Sequence, residues 1–292
     1  MELKQTLLLG TLVGLVSCHW FDPTDVDLAR KERTHVFVNA VVGADSTHCS
    51  ISSVGSTPTS TTLEETIEAC VRLDIAANES SSTCGSGSPE GMGLWVRTPH
   101  FSSAEPGEEL SLQVTFDRWD DLTATSMVPA EPAWSSARLK SRSIQEGDKI
   151  FDEVELNMIR EAGEEKWHLI QLLLQIDTVF APPPSPRNLR SDDPHILVRK
   201  HGGSALDNAL LVGNGGWIDN AWDLRFRVKN NVAEDVPHHY VLVVHSLSQE
   251  LHGFWEDLEW ARRNNGHVVS GNMSGGEGCF GVSRVGQALL FP

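Results

Sequence analysis

Five histidines, His238, His239, His245, His252 and His267, fall within one stretch of the chain, and Ser246 beside them could act as a nucleophile if a histidine took its proton. His245 and His252 are seven apart and would share a face if both were helical. A metal needs three or four ligands converging at about 2 Å, and a helix reaching His245 would have to absorb the end of the preceding strand. Surface or capping roles suit these histidines better, and no metal site is expected of them. Asp152, Glu153 and Glu155 have the chemistry for acid and base work on a glycosidic bond. Glu153, Glu155 and Asn157, however, fall on the polar face of a strand whose other face is Val154, Leu156 and Met158, so a solvated outer face accounts for them. Asp22, Asp25 and Asp27, and Asp117, Asp120 and Asp121, offer hard oxygen ligands without the spacing of an EF-hand, and solvated acidic loops are expected there. Nine Trp stand against one Tyr. Trp119, Trp217 and Trp222 each sit next to or near an acid, and an indole face beside hydrogen-bonding groups suits the stacking of a sugar, so these three are the candidates for contact with a glycan.

The run Tyr240-Val-Leu-Val-Val-His-Ser246, followed by Trp255-Glu-Asp-Leu258, Gly266-His-Val-Val269 and Gly275-Gly-Glu-Gly278, resembles the early strand, helix, strand and Gly-rich turn of α/β-hydrolases. The resemblance implies a secreted hydrolase with its segment at residues 240–283. That family places its G-x-S-x-G elbow, acid and His downstream of such a turn, and only fourteen residues follow Gly278. As an elbow, Val244-His-Ser246-Leu-Ser248 lacks both flanking glycines. A strand and an amphipathic helix packed on a core are the simpler expectation, and no catalytic residue is assigned.

The first residues carry an address. One early cation, Lys4, precedes an apolar run from Leu7 to Val16, too short to span a bilayer as a helix but suited to a signal peptide. Its end, Leu15-Val16-Ser17-Cys18, resembles the lipobox of bacterial lipoproteins. The resemblance implies removal of residues 1–17, diacylglycerol on the Cys18 thiol and acylation of the new amino group, and hence a membrane partner through a lipid anchor. His19 is not the Asp that favours inner-membrane retention in enteric-type bacteria, so the expected address is the cell envelope, at the outer membrane or facing the periplasm. Val16-Ser17-Cys18 would also pass an ordinary signal peptidase, leaving a secreted chain that begins at His19. An exposed His19 would in turn resemble the histidine brace of lytic polysaccharide monooxygenases, which holds copper; no other motif of that family is present, and no cofactor is expected. In a eukaryotic source, Asn78-Glu-Ser80 and Asn272-Met-Ser274 become glycosylation acceptors instead.

Removing Cys18 leaves Cys49, Cys70, Cys84 and Cys279, an even number that suggests two disulfides in an oxidising compartment, with three connectivities open. Whichever partner Cys279 takes must bring the C-terminal region against the N-terminal one. The chain of 292 residues is 40% hydrophobic, enough for a real core, and its formal net charge of -17 repels phosphate backbones, so nucleic acid is excluded as a general partner.

These groups must be positioned by elements that the sequence punctuates. Residues 18–31 read as a tether, 32–180 as a disulfide-containing and β-rich N-terminal region, 181–187 as a Pro-rich connector, and 188–292 as strands plus a helix packed against the N-terminal region. Strands are expected at 35–42, 94–96, 110–116, 154–158, 196–198, 210–212, 222–228 and 240–244. Residues 46–62 and 78–93, rich in Ser and Gly, are expected to be loops. Glu161 to Lys166 suits a hairpin between residues 154–158 and the run from Trp167, which could continue as strand or as buried helix. Thr62-Leu-Glu-Glu65 is a capping box, and Leu63, Ile67, Cys70 and Val71 share a helical face, predicting a helix over 63–73. A second helix over 247–263 is capped by Ser246 and carries Leu247, Leu251, Phe254, Trp255 and Leu258 as its apolar stripe. The fold expected is α+β: a mostly antiparallel, sandwich-like β body with a few short helices. The function expected is that of an exported cell-envelope lipoprotein with a non-catalytic binding or structural role toward an envelope glycan or protein.

Overall fold

Alternation of apolar and polar residues dominates the chain and is realised as β-sheet. The computed structural model describes residues 35–42, 47–54, 67–75, 79–87, 94–98, 104–117, 120–161, 164–177, 184–198, 208–233, 235–263 and 269–292. In chain order the strands are β1 (His35–Val42), β2 (Thr47–Val54), β3 (Ile67–Ile75), β4 (Glu79–Gly87), β5 (Leu94–Thr98), β6 (Glu109–Phe116), β7 (Leu122–Met127), β8 (Trp134–Glu146) and β9 (Lys149–Ile159). They continue as β10 (Trp167–Ile176), β11 (Ser185–Pro186), β12 (Leu189–Arg190), β13 (Ile196–Val198), β14 (Leu210–Val212), β15 (Ala221–Lys229), β16 (His238–Leu247) and β17 (Glu277–Leu290). One helix, α1 (Gln249–Arg263), lies among the described residues.

A nine-stranded sheet runs β13-β14-β10-β16-β17-β1-β2-β5, with β11 also on β10; two four-stranded sheets run β12-β15-β9-β8 and β4-β3-β6-β7. The parallel pairing is that of β1 with β17; the others are antiparallel. β17 is long enough to serve two partners. Residues 277–282 pair with β1, and 283–290 with β16.

Three cores follow from this layering. Leu110, Leu112 and Val114 of β6, with Val71 and Leu73 of β3, pack on Phe280 and Val282 of β17. Val154, Leu156 and Met158 of β9 and Trp222, Leu224, Phe226 and Val228 of β15 pack on Ile170, Leu172, Tyr240, Leu242 and Val244 of β10 and β16. On the other side of β10 and β16, Leu251 and Trp255 of α1 cover Leu169, Leu211, Leu247 and Cys279. Burial on both faces explains why the run from Trp167 carries no deciding period, and it is a strand.

The body is thus mostly antiparallel and sandwich-like, and several expectations are corrected. Residues 67–75 form a strand where a helix was expected: Ala69, Val71 and Leu73 are buried while Arg72 is exposed, and β3 gains ladders on both edges, from β4 and β6. Tertiary pairing here outweighs a short helical stripe. The Ser-rich segments expected as loops contain β2 and β4. Glu161 to Lys166 does not close the expected hairpin between β9 and β10, because both edges of β9 are taken by β8 and β15 and β10 belongs to another sheet. The tight hairpins lie elsewhere. Gly147 (φ 63°) turns β8 into β9, and Asp219 and Asn220 (φ 48° and 64°) occupy a two-residue turn closed by reciprocal bonds between Ile218 and Ala221. The Pro-rich connector ends in Ser185 and Pro186 paired with Leu174 and Leu173, and the core of β9 and β15 draws residues from both sides of it.

Candidate functional site

The second helix expected from the sequence is present, with a shifted start. Ser246 lies within the strand β16, which ends at Leu247, and Ser248 caps the helix: its Oγ accepts from Leu251 N at 3.4 Å and from Val282 N at 3.3 Å, joining α1 to β17. The apolar stripe points to the sheet, so the opposite face carries His252, Glu256 and Trp260 at spacings of four. These three side chains form one wall of a cleft of about 460 Å³, whose other walls include Trp167, His195 and Asn214. Trp260 is 42% exposed, and the rings of Trp167 and His252 lie 6.3 Å apart. Arg160 donates to Asn214 Oδ1 at 2.7 Å and so fixes the amide. A Cβ on Gly215 would lie 2.9 Å from His195 Nδ1, so a larger residue there would have to displace that ring. Burial lowers His252 to about 4, so the ring stands neutral at pH 7. Aromatic faces set among neutral and carboxylate hydrogen-bonding groups are the chemistry that binds sugars.

A second cleft of about 460 Å³ adjoins the first, sharing Trp167 and Gln249 with it. Ser246, Lys166, Glu161, Glu164, Glu165 and Glu250 line it. Lys166 is buried and paired with Glu164 at 3.1 Å. Ser246 Oγ lies 3.4 Å from His168 Nδ1, the nearest approach to a nucleophile and base. The pair is poorly suited to catalysis. Burial, then the charge of Lys166, lowers His168 to about 3, too weak a base for neutral pH, and no described group partners its Nε2. The strand-helix-strand segment also departs from the α/β-hydrolase pattern, because β16 and β17 pair antiparallel and no parallel crossover is made.

The structure disperses the histidines. His238 donates from Nδ1 to Val236 O, His239 pairs with Asp177 at 2.9 Å, His245 is lowered to about 4 by burial, and His267 lies outside the described residues. Among the described residues no three His, Cys, Asp or Glu side chains are gathered to hold a metal ion. Asp152 is a correction to the solvated-face reading: it is fully buried and accepts from Arg142 N, Asn230 Nδ2 and Tyr240 OH.

Of the tryptophans expected to face a glycan, two lie among the described residues. Trp222 is 5% exposed and donates its indole N–H to Asp193 at 3.1 Å, and Trp217 is sandwiched, with Arg160 4.8 Å over its ring and Trp222 edge-on at 5.8 Å. Trp222 is buried, and Trp217 is partly buried. Trp119 lies outside the described residues, as do residues 1–31 with Cys18, and Asn78. The signal that could have found Trp260 is the helix itself: a Trp four and eight residues from Glu256 and His252 stands on the face opposite the apolar stripe; Trp167, on β10, had no such signal.

Of the cysteines, Cys70 and Cys84 are disulfide-bonded across directly opposed positions of β3 and β4. Cys279 is a buried thiol pushed up to about 12 by burial, its Sγ 3.6 Å from Glu250 O. Cys279 stands opposite Asn39 in β1, and Cys49 belongs to the next strand over. Two strand spacings, about 9.6 Å, exceed the Cα span of a disulfide. The C-terminal region is brought to the N-terminal one by the β1–β17 ladder instead. Asn272 of the second glycosylation triplet has its amide engaged: Nδ2 donates to Thr125 O and Phe280 O, and Oδ1 accepts from Phe280 N.

No family model and no curated protein matches the chain. Solved structures similar to it include the calcium binding domain CBD12 of CALX1.1, at 10% identity over 72% of this chain and 79% of that one with a TM-score of 0.25. Another is CBD12 from CALX1.2, at 6% identity over 85% and 98% with a TM-score of 0.24. Likenesses at this level carry no argument about fold or ligand.

Proposed function

We propose that the protein is an exported envelope lipoprotein that binds a glycan without transforming it. One observation carries the binding half of this reading: the cleft that sets the exposed ring of Trp260 and the ring of Trp167 beside His195, His252, Asn214 and Glu256. Sugar recognition needs an apolar ring face and hydrogen-bonding groups at its rim, and this cleft supplies both. The export half rests on Lys4, the apolar run to Val16 and Leu15-Val16-Ser17-Cys18. Acyl chains on Cys18 would bury methylenes at about 0.8 kcal/mol each and hold the acidic chain at a membrane.

Affinity electrophoresis of the native protein through gels containing soluble cell-wall polysaccharides tests the first half. Retardation that falls at least fivefold in Trp260→Ala, with unchanged thermal stability, is the expected result; a protein that migrates identically in every gel overturns it. Mass spectrometry of the native N-terminus tests the second half: a chain beginning with unmodified His19, or still carrying Met1, defeats lipidation.

A further inference from the structure

The two clefts share Trp167 and Gln249 in their walls, so they lie side by side, and an extended ligand could occupy them together as one groove. Its walls are uneven in charge. Glu161, Glu164, Glu165, Glu250 and Glu256 stand against the ammonium of Lys166, which is itself held by Glu164. Among the described residues, Lys166 is the one Lys or Arg that lines either cleft. The chain as a whole adds a field of the same sign, with a formal charge of -17. A groove lined by one sign of charge between low-dielectric walls focuses that field on its occupant.

We propose that the groove selects an extended oligosaccharide bearing free amino groups and rejects glycans bearing carboxylates or phosphates. This rests on the glycan-binding reading and adds its charge class. The mechanism is electrostatic and positional. Protonated sugar amines come within a few ångströms of the wall carboxylates, while the ring faces stack on Trp167 and Trp260. N-acetylation of the amines removes the attraction and keeps the stacking; a uronic acid replaces attraction by repulsion. A lysine-rich peptide shares the charge but offers no flat ring face to the two indoles, so the sugar is favoured as occupant.

Calorimetric titration of the full-length protein with three hexamers decides it: β-1,4-linked glucosamine, its fully N-acetylated counterpart, and galacturonic acid. At about 20 mM salt the amine form is expected to bind about tenfold tighter than the acetylated form, with the difference shrinking below about twofold at 0.5 M salt and no binding of the uronate. In Glu161→Gln/Glu165→Gln, which leaves the Lys166–Glu164 pair in place, the gap between the two hexamers should narrow. Equal affinities for the amine and acetylated forms, or uronate binding as tight as either, overturns the charge class while leaving glycan binding standing. Silence of all three hexamers overturns both readings, and saturable binding of oligolysine in that case assigns the groove to a basic peptide.

Discussion

At the scale of single residues, the buried carboxylate of Asp152 decides more than any exposed one. It lies on β9, yet its partners come from the β8 bulge, from the turn at Asn230 and from β16 in the facing sheet, so one side chain joins both layers of the sandwich. Arg142, whose amide it accepts, has φ 48°, in the left-handed region that favours glycine, and the bond helps hold the bulge. Burial, then the nearby carboxylate, raises the Tyr240 hydroxyl well above its ordinary range, which keeps it a donor to Asp152. Tyr240→Phe removes one bond to a carboxylate that retains others, and should cost about 1–3 kcal/mol. Asp152→Ala strands the Tyr240 hydroxyl, the Asn230 amide and the Arg142 N–H together and should cost more than about 4 kcal/mol. Urea unfolding of both variants checks the order. If the two lose the same stability, Asp152 is not the hub.

At the scale of elements, α1 reaches the sheet because Gly281 lets it. A Cβ at that position would lie 2.4 Å from Leu251 Cβ, a distance that side chains do not tolerate, so Gly281→Ala must push the helix off β17 or tilt it. The expected loss is about 1–3 kcal/mol, read as a lowered melting temperature, with a weakening of the proposed glycan binding because His252, Glu256 and Trp260 ride on that helix. Unchanged stability would mean that the helix is not packed there. Elements with one buried face were legible in the sequence. β15 shows it best: Trp222, Leu224, Phe226 and Val228 point inward and Asp223 and Arg225 outward, as their alternation predicts. The helix was legible from its stripe, although its cap moved two residues because Ser248, and not Ser246, meets the amides of both Leu251 and Val282. The β3 strand was not legible. Its partner β6 lies far enough along the chain that local spacing carries no trace of it, and β4, which follows closely, is Ser-rich without apolar alternation and is tied to β3 by the disulfide between Cys70 and Cys84. The candidate groove escaped for a similar reason. Trp167 and Trp260 come to line one cleft only when the helix folds back over β10, while of the tryptophans next to acids in sequence Trp222 is in the core and Trp217 packs partly buried against it.

At the scale of the whole molecule, buried histidines set the response to acid. Burial lowers His168 to about 3 and His245 and His252 to about 4, from an ordinary value of 6.5. All three shifts run downward, so the unfolded chain takes up protons that the native chain refuses. Stability is therefore complete above pH 6.5 and falls as the pH drops toward 4, where the native rings begin to titrate as well. Each histidine contributes a slope of about 1.4 kcal/mol per pH unit within that window, and the three together about 4. The -17 charge works the other way, since protonating surface carboxylates relieves self-repulsion, but exposed charges farther apart than about 8 Å are largely screened at physiological salt. The local term should dominate. Urea midpoints measured at pH 7, 6 and 5 in 0.15 M salt are expected to fall steeply below pH 6, and His245→Gln, which removes one proton acceptor from the unfolded chain, should flatten that fall by about a third. A midpoint constant from pH 7 to pH 5, or a His245→Gln variant with the slope of the parent, would show that the buried rings are charged or solvated in the native protein, and the sandwich interior would then have to admit water beside β10 and β16.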